Sequence, residues 1–297
     1  MENRNSPLYL YCPMTMTLLM WGFMNVPTAF ALAEMAPLQL LLLRTAIAVL
    51  ILAPLARLRD GLLLPLPGDR ITAALMGLSG VFFNNVFFFN AMKRTSLTNV
   101  AILFATSPFI TAVLARIFLG ERLTLRRVLG IVIALAGAVS LLCKGDISLL
   151  ADLKMNTGDL LELGAAFTIS VMTILGRRIK KTPPITVTLC VMFTSFVATA
   201  LTIVVTGTPL NFALSNRAIF GVVYVGVFAS AGAYMFQQMS IQRIGAGATG
   251  AFLNGSPALA IFGAVVFMGE TISPVQIISA AVIFLGIFLN AGGARKA

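Results

Sequence analysis

Long apolar segments follow one another along almost the whole of this 297-residue sequence, and they constrain its fold more than any other feature. Only 10% of the residues are charged, against roughly 25% in a typical soluble domain. So few charges cannot cover a water-exposed surface. In lipid every backbone polar group must be paired within the protein, so only helices or a closed barrel can cross a bilayer. Because the apolar segments do not alternate with polar residues, they predict transmembrane helices.

Ten segments are predicted as membrane spans, since a helix needs about 20 residues to cross the hydrocarbon core. In chain order, spans 1 to 10 cover residues 10–32, 38–56, 71–92, 97–118, 128–143, 159–176, 185–206, 218–238, 246–267 and 275–291. The connections between them are short and rich in Pro and Gly, as turns are. The predicted fold is therefore an all-α integral membrane protein, with no room for a soluble domain.

The basic residues predict an orientation rather than a nucleic-acid partner. The net charge is +11, but Lys and Arg lie mainly in short loops at helix ends, where they set membrane topology. With a cytoplasmic N-terminus, fifteen of the 21 basic residues lie in inside segments and five in outside segments, while Arg44 lies within a span. This bias predicts that both termini are cytoplasmic, and no nucleic-acid partner is expected.

The composition argues against catalysis. The sequence contains no His, which removes the commonest general base. Cys12, Cys143 and Cys190 lie in apolar segments and match neither a disulfide framework nor a metal site. A membrane-embedded enzyme needs a cluster of catalytic groups, and a channel needs a filter loop or a charged ring. The sequence shows neither, and we expect no cofactor and no metal.

An internal repeat divides the predicted spans into two halves. The matching residues, each pair 149 positions apart, are Ser107 and Ser256, Pro108 and Pro257, Gly120 and Gly269, Glu121 and Glu270, and Gly137 and Gly286. Five spans fit within this offset, and an odd number inverts the second copy in the membrane. Inverted-topology repeats are typical of secondary transporters, whose substrate sites lie between the halves. We predict one five-helix repeat over residues 1–143, a periplasmic connection over 144–156 and a second repeat over 157–297.

The repeated prolines and acids each allow two interpretations. Pro108 and Pro257 fall within spans, where proline removes a backbone donor and kinks the helix. The kinks are candidate gate hinges, with a simple packing bend as the equal alternative. Glu121 and Glu270 are placed near helix N-termini, where a carboxylate is stabilising by about 0.3–1 kcal/mol. A direct role in coupling is the alternative for the two acids.

These motifs in this order resemble the EamA type of the drug/metabolite transporter superfamily. The resemblance rests on Trp21-Gly22 in span 1, Arg44 in span 2, the Pro-x11-Gly-Glu pattern in spans 4 and 9, and the two inverted halves. It covers essentially the whole chain. It implies a bacterial inner-membrane carrier with a central cavity, typically an exporter of amino acids or other small metabolites. The resemblance does not name the solute.

Polar and aromatic residues at helical spacing predict the lining of this cavity. The candidates are Trp21 and Asn25 in span 1, Asn84 and Phe88 in span 3, Phe104 in span 4, Tyr224, Tyr234 and Gln238 in span 8, and Asn254 in span 9. At roughly 3.6 residues per turn the three span-8 residues share one face, as do the two in span 3. Amides among aromatic rings suit a zwitterion or an amphiphilic solute. The alternative is that these side chains only join neighbouring helices by hydrogen bonds.

Two charged residues, Arg44 and Glu162, lie inside predicted spans, in the outer half of the membrane. A functional interpretation pairs them with each other or with a charged substrate. The alternative is that Arg44 reaches the headgroups and Glu162 lies in the interface near a helix N-terminus. Glu162 is the only acidic residue well inside a span, so proton coupling stays open.

The expected function is that of a secondary transporter that exports small organic solutes, amino acids or related metabolites, by alternating access. Multidrug efflux of aromatic cations is the alternative, and it would favour an acidic cavity for which the sequence shows little buried acid. The expected partners are a small-molecule solute and the lipid bilayer. The sequence leaves the choice between a monomer and a homodimer open.

Overall fold

The computed structural model describes residues 7–95, 97–143, 155–256, 258–259 and 273–294. These residues form helices and connecting loops, without a strand among them. The α-helices are α1 (Pro7–Gly22), α2 (Asn25–Leu32), α3 (Pro37–Arg59), α4 (Arg70–Met76), α5 (Asn84–Met92), α6 (Leu97–Phe104), α7 (Ser107–Leu119), α8 (Leu125–Leu142), α9 (Thr157–Arg178), α10 (Pro184–Thr206), α11 (Asn216–Tyr224), α12 (Ala233–Ile244), α13 (Ala246–Phe252) and α14 (Pro274–Ala294). Short 3-10 segments cover Pro67–Asp69 and Leu253–Gly255.

Eight helical stretches of the described chain are long and apolar enough to cross a membrane. They are Tyr9–Leu32, Pro37–Arg59, Pro67–Met92, Asn99–Leu119, Leu125–Leu142, Thr157–Arg178, Pro184–Thr206 and Asn216–Ile244, and they correspond to predicted spans 1 to 8. Pro274–Asn290 is a shorter apolar helix at predicted span 10. Part of span 9, including Pro257, lies outside the described residues. The all-helical membrane fold is confirmed, and the total of ten spans stays a prediction.

Local capping determines where several helices begin and end. The Thr124 hydroxyl accepts a hydrogen bond from the Arg127 amide, so α8 starts three residues before the predicted position. Asn156 and Asp159 form a capping box, each side chain accepting from the other's amide. Gly120 ends α7 with φ of 68°, a left-handed conformation that glycine adopts without strain. Such caps position the loops that join the spans.

Side-chain hydrogen bonds between loops define one end of the bundle, here called the basic end. The Asp60 carboxylate accepts from the amide and the hydroxyl of Thr186 at 3.1 and 2.7 Å. The Asp69 carboxylate accepts from the Thr182 hydroxyl at 2.6 Å. The basic residues at this end are Arg57, Arg59, Arg70, Arg116, Arg122, Arg126, Arg127, Arg177, Arg178, Lys180, Lys181 and Arg243.

The other end of the bundle, here called the opposite end, has its own loop contacts. The Glu34 carboxylate accepts from the amide of Ser215 at 2.8 Å and also from its hydroxyl. The Thr95 hydroxyl donates to Asp159 at 2.7 Å. The described basic residues here are Lys93, Arg94 and Arg217. The two ends are therefore each held by loop contacts, but they differ strongly in charge.

Helices α8 and α14 pack closely through small residues. A Cβ atom at Gly137 would lie 2.9 Å from the backbone nitrogen of Ile283, and one at Gly286 would clash with the backbone of Ala134. Two helix backbones can approach so closely only where side chains are small, as is common between membrane helices. The α8–α14 pair is thus a closely packed unit beside the other spans.

Two π-helical segments interrupt spans 3 and 8. They cover Gly77–Phe83 and Val225–Gly232, starting 148 residues apart and ending 149 residues apart. A π-helix bonds residue i to residue i+5, and such segments often occur at functional sites. Residues before and after each segment therefore do not share the faces expected for a continuous α-helix.

Span 4 is broken rather than smoothly kinked. Helix α6 ends at Phe104 and α7 begins at Ser107. Pro108 lies in the first turn of α7, where its missing amide removes no helical hydrogen bond. Thr106 lies in the break, and its hydroxyl donates to the Leu103 carbonyl at 2.6 Å. The bend lies just before the proline, and no helical bond within α7 is lost.

Candidate functional site

A cavity of about 430 Å³ lies between the helices, within the usual range for small-ligand sites. Its described lining residues are Trp21, Met24, Asn25, Arg44, Asn84, Asn85, Phe88, Val100, Ala101, Phe104, Ala105, Ser107, Leu142, Ile169, Tyr234, Leu253, Asn254 and Ser256. Leu142 is the last residue of α8, and Ala101 lies in the first helix of span 4. The cavity thus extends from the middle of the bundle toward the opposite end.

One wall of the cavity is aromatic. The rings of Trp21 and Tyr234 meet edge to face, with centroids 5.1 Å apart. The Trp21 indole donates to the Ala229 carbonyl at 2.9 Å, which ties the end of α1 to span 8. Phe88 and Phe104 also line the cavity, from spans 3 and 4. This wall can bind the apolar body of a solute.

Three amide side chains supply polar groups from spans 1 and 3. Asn84 donates through Nδ2 to the Ala165 carbonyl at 2.8 Å, and Asn85 donates to the Val81 carbonyl at 2.6 Å. Each Nδ2 therefore uses one of its two N–H donors on a backbone carbonyl, while the Oδ1 atoms carry the acceptor capacity. Asn25, the first residue of α2, lines the same cavity.

Arg44 is the charged residue among the described residues that line the cavity. Its Nε donates to the Ser230 hydroxyl at 2.8 Å. Ser230 in turn donates to the Val225 carbonyl at 2.8 Å, within the π-helical segment of span 8. The guanidinium is thus held in place by a neutral neighbour.

The sequence suggested an ion pair between Arg44 and Glu162 as one hypothesis, and the structure does not contain this pair. Helix α3 packs mainly against α10 and span 8, whereas α9 packs mainly against spans 3 and 4. Glu162 is fully buried, lies off the cavity lining, and neither of its carboxylate oxygens has a hydrogen-bond partner among the described residues. The ion pair found among the described residues joins Glu121 and Arg127 instead.

Asn254 lies where span 9 changes from α13 to a 3-10 turn, and it lines the cavity. It is 2% exposed, and its Nδ2 has no partner among the described residues. Seven of the nine predicted cavity residues line this single cavity, namely Trp21, Asn25, Asn84, Phe88, Phe104, Tyr234 and Asn254. The structure therefore brings together residues from five different spans.

The structure places the other two candidates, Tyr224 and Gln238, outside the cavity. The Tyr224 ring packs against Phe220 and Phe228, with centroids 6.2 and 5.1 Å away. Gln238 donates to the Gly176 carbonyl at 3.0 Å, between α12 and α9. The π-helical segment of span 8 lies between Tyr224 and Tyr234, so the continuous 3.6-residue spacing that grouped these two residues does not apply. Gln238 lies one turn beyond Tyr234 in the same α-helix, toward the basic end.

Sequence reasoning missed mainly the small and apolar lining residues. Ser107 and Ser256 both line the cavity and are one of the pairs repeated 149 residues apart. The repeat was a usable signal for them. Met24, Val100 and Ile169 carry no such signal, because apolar residues in a membrane helix can equally face lipid or protein.

At the basic end a carboxylate joins spans 4 and 9. Glu121 Oε1 accepts from the Ala246 amide at 3.0 Å, and Oε2 accepts from the Gly247 amide at 3.3 Å and from Arg127 Nη2 at 3.1 Å. The loop after α7 is thereby bound to the first turn of α13. Such a charge at a helix N-terminus is favourable.

The chain matches the EamA-like transporter family over residues 10–143 and 156–292. It therefore belongs to this family of the drug/metabolite transporter superfamily, and the resemblance seen in the sequence is confirmed. Membership makes it a multi-pass membrane transporter rather than an enzyme.

Two relatives with the names of transporters agree with this assignment, and a solved structure shares the fold. Uncharacterized transporter YyaM of Bacillus subtilis is 28% identical over 229 residues, 76% of this chain and 75% of the relative. An uncharacterized transporter of Clostridium kluyveri is 25% identical over 268 residues, 89% of this chain and 86% of the relative. A crystal structure with 21% identity has a TM-score of 0.84 and covers 98% of this chain and 99% of its own, which shows a shared fold.

Proposed function

We propose that this protein is a secondary transporter that exports small organic solutes, amino acids or related metabolites, through the described cavity by alternating access. The cavity lining is the observation that carries the proposal. Aromatic rings provide an apolar wall, and a few fixed amides and one guanidinium provide polar partners, the usual composition of a small-molecule site. The rival function, efflux of aromatic cations, would need an acidic group, and the described lining residues include none.

The contacts between α8 and α14 support two inverted repeats. Gly137 lies close to Ile283. At the offset of 149 residues, Gly286 is the equivalent of Gly137 and Ala134 is the equivalent of Ile283. Gly286 and Ala134 also lie close together, so the same contact occurs with the two halves exchanged. A pseudo-twofold axis between two equivalent halves produces such exchanged pairs. The π-helical segments of spans 3 and 8 recur at nearly the same offset. We propose that this axis lies in the membrane plane.

The charge bias supports an orientation in the bacterial inner membrane with the basic end and both termini in the cytoplasm. The repeats would then span residues 1–143 and 157–297, joined by a periplasmic connection. Single cysteines introduced at Arg178 and Asp152, in a variant without native cysteines, should be labelled from the cytoplasm and the periplasm respectively. Labelling of both from one side would contradict this topology.

Closure of the basic end supports alternating access. The cavity extends toward the opposite end, while Glu121 joins the loop after α7 to the start of α13. In the proposed orientation this is a state closed to the cytoplasm. Release of Glu121 would allow α13 to move, with the break beside Pro108 as one hinge. Pro257, the proposed second hinge, lies outside the described residues.

Flux in proteoliposomes tests the function. A panel of amino acids, related metabolites and aromatic cations would be assayed with and without a pH gradient. We expect saturable flux of an amino acid or related metabolite, reduced at least about tenfold by Phe104→Ala, equivalent to about 1.4 kcal/mol. Phe220→Ala is the matched control, since Phe220 lies outside the cavity and is half exposed. Flux of aromatic cations alone would instead favour multidrug efflux.

A further inference from the structure

We infer that the cavity selects solutes that carry a carboxylate, which Arg44 binds with Asn254 as a second donor. The apolar body of the solute lies against the aromatic wall. The inference rests on the proposed function, because it names the solute class of the same cavity.

The state of Arg44 is the first observation. The residue is 9% exposed, and its Nε bond to the neutral Ser230 hydroxyl fixes the plane of the guanidinium. None of the described residues gives its terminal nitrogens a carboxylate partner, since the described ion pair joins Glu121 and Arg127. A buried cation is costly within a membrane, and where one is kept it usually marks a substrate pathway. A planar guanidinium binds a carboxylate through two parallel hydrogen bonds.

Asn254 is the second, independent observation. It lies on span 9, in a different part of the chain from Arg44 on span 2, yet both line one cavity. Its Nδ2 is buried without a partner among the described residues. An unpaired buried donor is destabilising, and an anionic oxygen in the cavity would remove that cost.

The charge balance of the cavity excludes the opposite sign of solute. Arg44 is the single charged residue of the described lining, and no acidic side chain there can bind a cation. Glu162 lies off the lining. In a medium of low dielectric constant a like charge is repelled strongly. A solute whose only charge is positive would therefore bind poorly.

An ammonium group on the solute has weaker partners than the carboxylate. Asn84 and Asn85 use their Nδ2 groups on backbone carbonyls, so their Oδ1 atoms are the acceptors that remain. A neutral acceptor can satisfy an ammonium group but binds it less strongly than a carboxylate does. The carboxylate of an amino acid should thus determine binding, and its ammonium group should contribute less.

Three ligands with one body and different charges test this order on the purified full-length protein in detergent. They are 3-phenylpropionate with a carboxylate alone, L-phenylalanine with both groups, and L-phenylalaninamide with an ammonium group alone. The readout is the rise in the unfolding temperature at increasing ligand concentration. We expect both carboxylates to bind at least about tenfold more tightly than the amide, as a charged hydrogen-bond pair implies.

Variants then assign the effect to Arg44. Arg44→Gln should remove the preference for carboxylates, whereas Arg57→Gln should keep it, because Arg57 donates to Gly61 outside the cavity. Ser230→Ala removes the Nε partner but keeps the charge, and should weaken carboxylate binding less than Arg44→Gln. If Arg44→Gln fails to fold, the three ligands on the unaltered protein still decide the question.

The outcomes separate this inference from the transport proposal. Tighter binding of L-phenylalaninamide than of 3-phenylpropionate would overturn the inference, even if proteoliposome flux is observed. Equal binding of all three ligands, or no binding of any, would overturn it as well. Preferential carboxylate binding without any flux would support the site and contradict the transport proposal.

Discussion

The basic end and the cavity differ in whether their polar side chains have hydrogen-bond partners within the protein. At the basic end the carboxylates of Asp60, Asp69 and Glu121 each accept a backbone amide at a distance of 3.0 to 3.3 Å. In and beside the cavity, Arg44 lacks an anionic partner and Asn254 Nδ2 lacks any partner among the described residues. The carboxylates of the basic end are thus bonded within the protein, whereas a guanidinium and an amide donor of the cavity are left available to a ligand.

This difference indicates which region the protein itself stabilises and which it leaves for a ligand. A paired carboxylate contributes roughly 1.5–3 kcal/mol per charged hydrogen bond, and an unpaired buried group costs roughly 1–3 kcal/mol. Closure at the basic end is therefore favourable by itself. The cavity becomes fully satisfied only when a solute or water supplies the missing partners.

Breaking the basic end should have the largest effect. Glu121→Ala leaves Arg127 Nη2 and two backbone amides without their acceptor, which should destabilise the closed contact by about 3–5 kcal/mol. Hydrogen exchange of the amides in Ala246–Phe252 should accelerate accordingly. Glu34→Ala is the control, since it removes a carboxylate at the opposite end and should leave these amides unchanged. Unaltered exchange in Glu121→Ala would show that the contact does not hold α13.

Replacing the buried acid Glu162 should act in the other direction. Glu162→Met removes a carboxylate that has no hydrogen-bond partner among the described residues, so it should stabilise the protein by about 1–3 kcal/mol. Thermal unfolding in detergent is the measurement. Asp159→Asn, one turn away, breaks a capping box and should destabilise it. A similar loss of stability in both variants would mean that Glu162 has a partner.

A smaller effect separates residues that join helices from residues that face the cavity. Gln238→Ala removes a bond to the Gly176 carbonyl and should cost about 0.6–1.7 kcal/mol of stability, with flux per folded molecule unchanged. Asn254→Ala removes an unpaired group, so it should keep the stability and reduce flux. The reverse pattern would place Gln238, rather than Asn254, in the solute path.

The smallest effect concerns pH at the opposite end. The Ser215 hydroxyl, and after it the Ser215 amide, hold the pKa of the Glu34 carboxyl below its usual value. Because the pKa of Glu34 is lower in the folded protein than in the unfolded chain, its contact with Ser215 stabilises the folded protein at neutral pH. This stabilisation is lost as the pH falls through the lowered pKa. The unfolding temperatures of the protein and of Glu34→Gln should differ at neutral pH and converge in acid. A difference that persists in acid would contradict this account.

Local patterns in the sequence were sufficient for the class of fold and for the family. Hydropathy predicted the positions of spans 1 to 8, because the need to satisfy the backbone in lipid leaves helices as the solution for long apolar segments. The EamA resemblance, based on motifs such as Trp21-Gly22 and Arg44, is confirmed by the family match. The capping residue Asn156 was readable in principle, and its neglect shifted the predicted start of α9 by two residues.

The tertiary structure decided which polar side chains share a space. The π-helical segment Val225–Gly232 interrupts the helical periodicity after Tyr224, and this cannot be seen from the spacing of residues alone. The partner of Arg44 depends on which helices are neighbours: packing of α3 on span 8 brings it to Ser230 and away from Glu162. Hydropathy is a property of each segment, so the sequence determined the spans by itself. The direction in which a polar side chain points, and the partner that it bonds, depend on contacts between segments far apart in the chain. Only the packed structure therefore determined them.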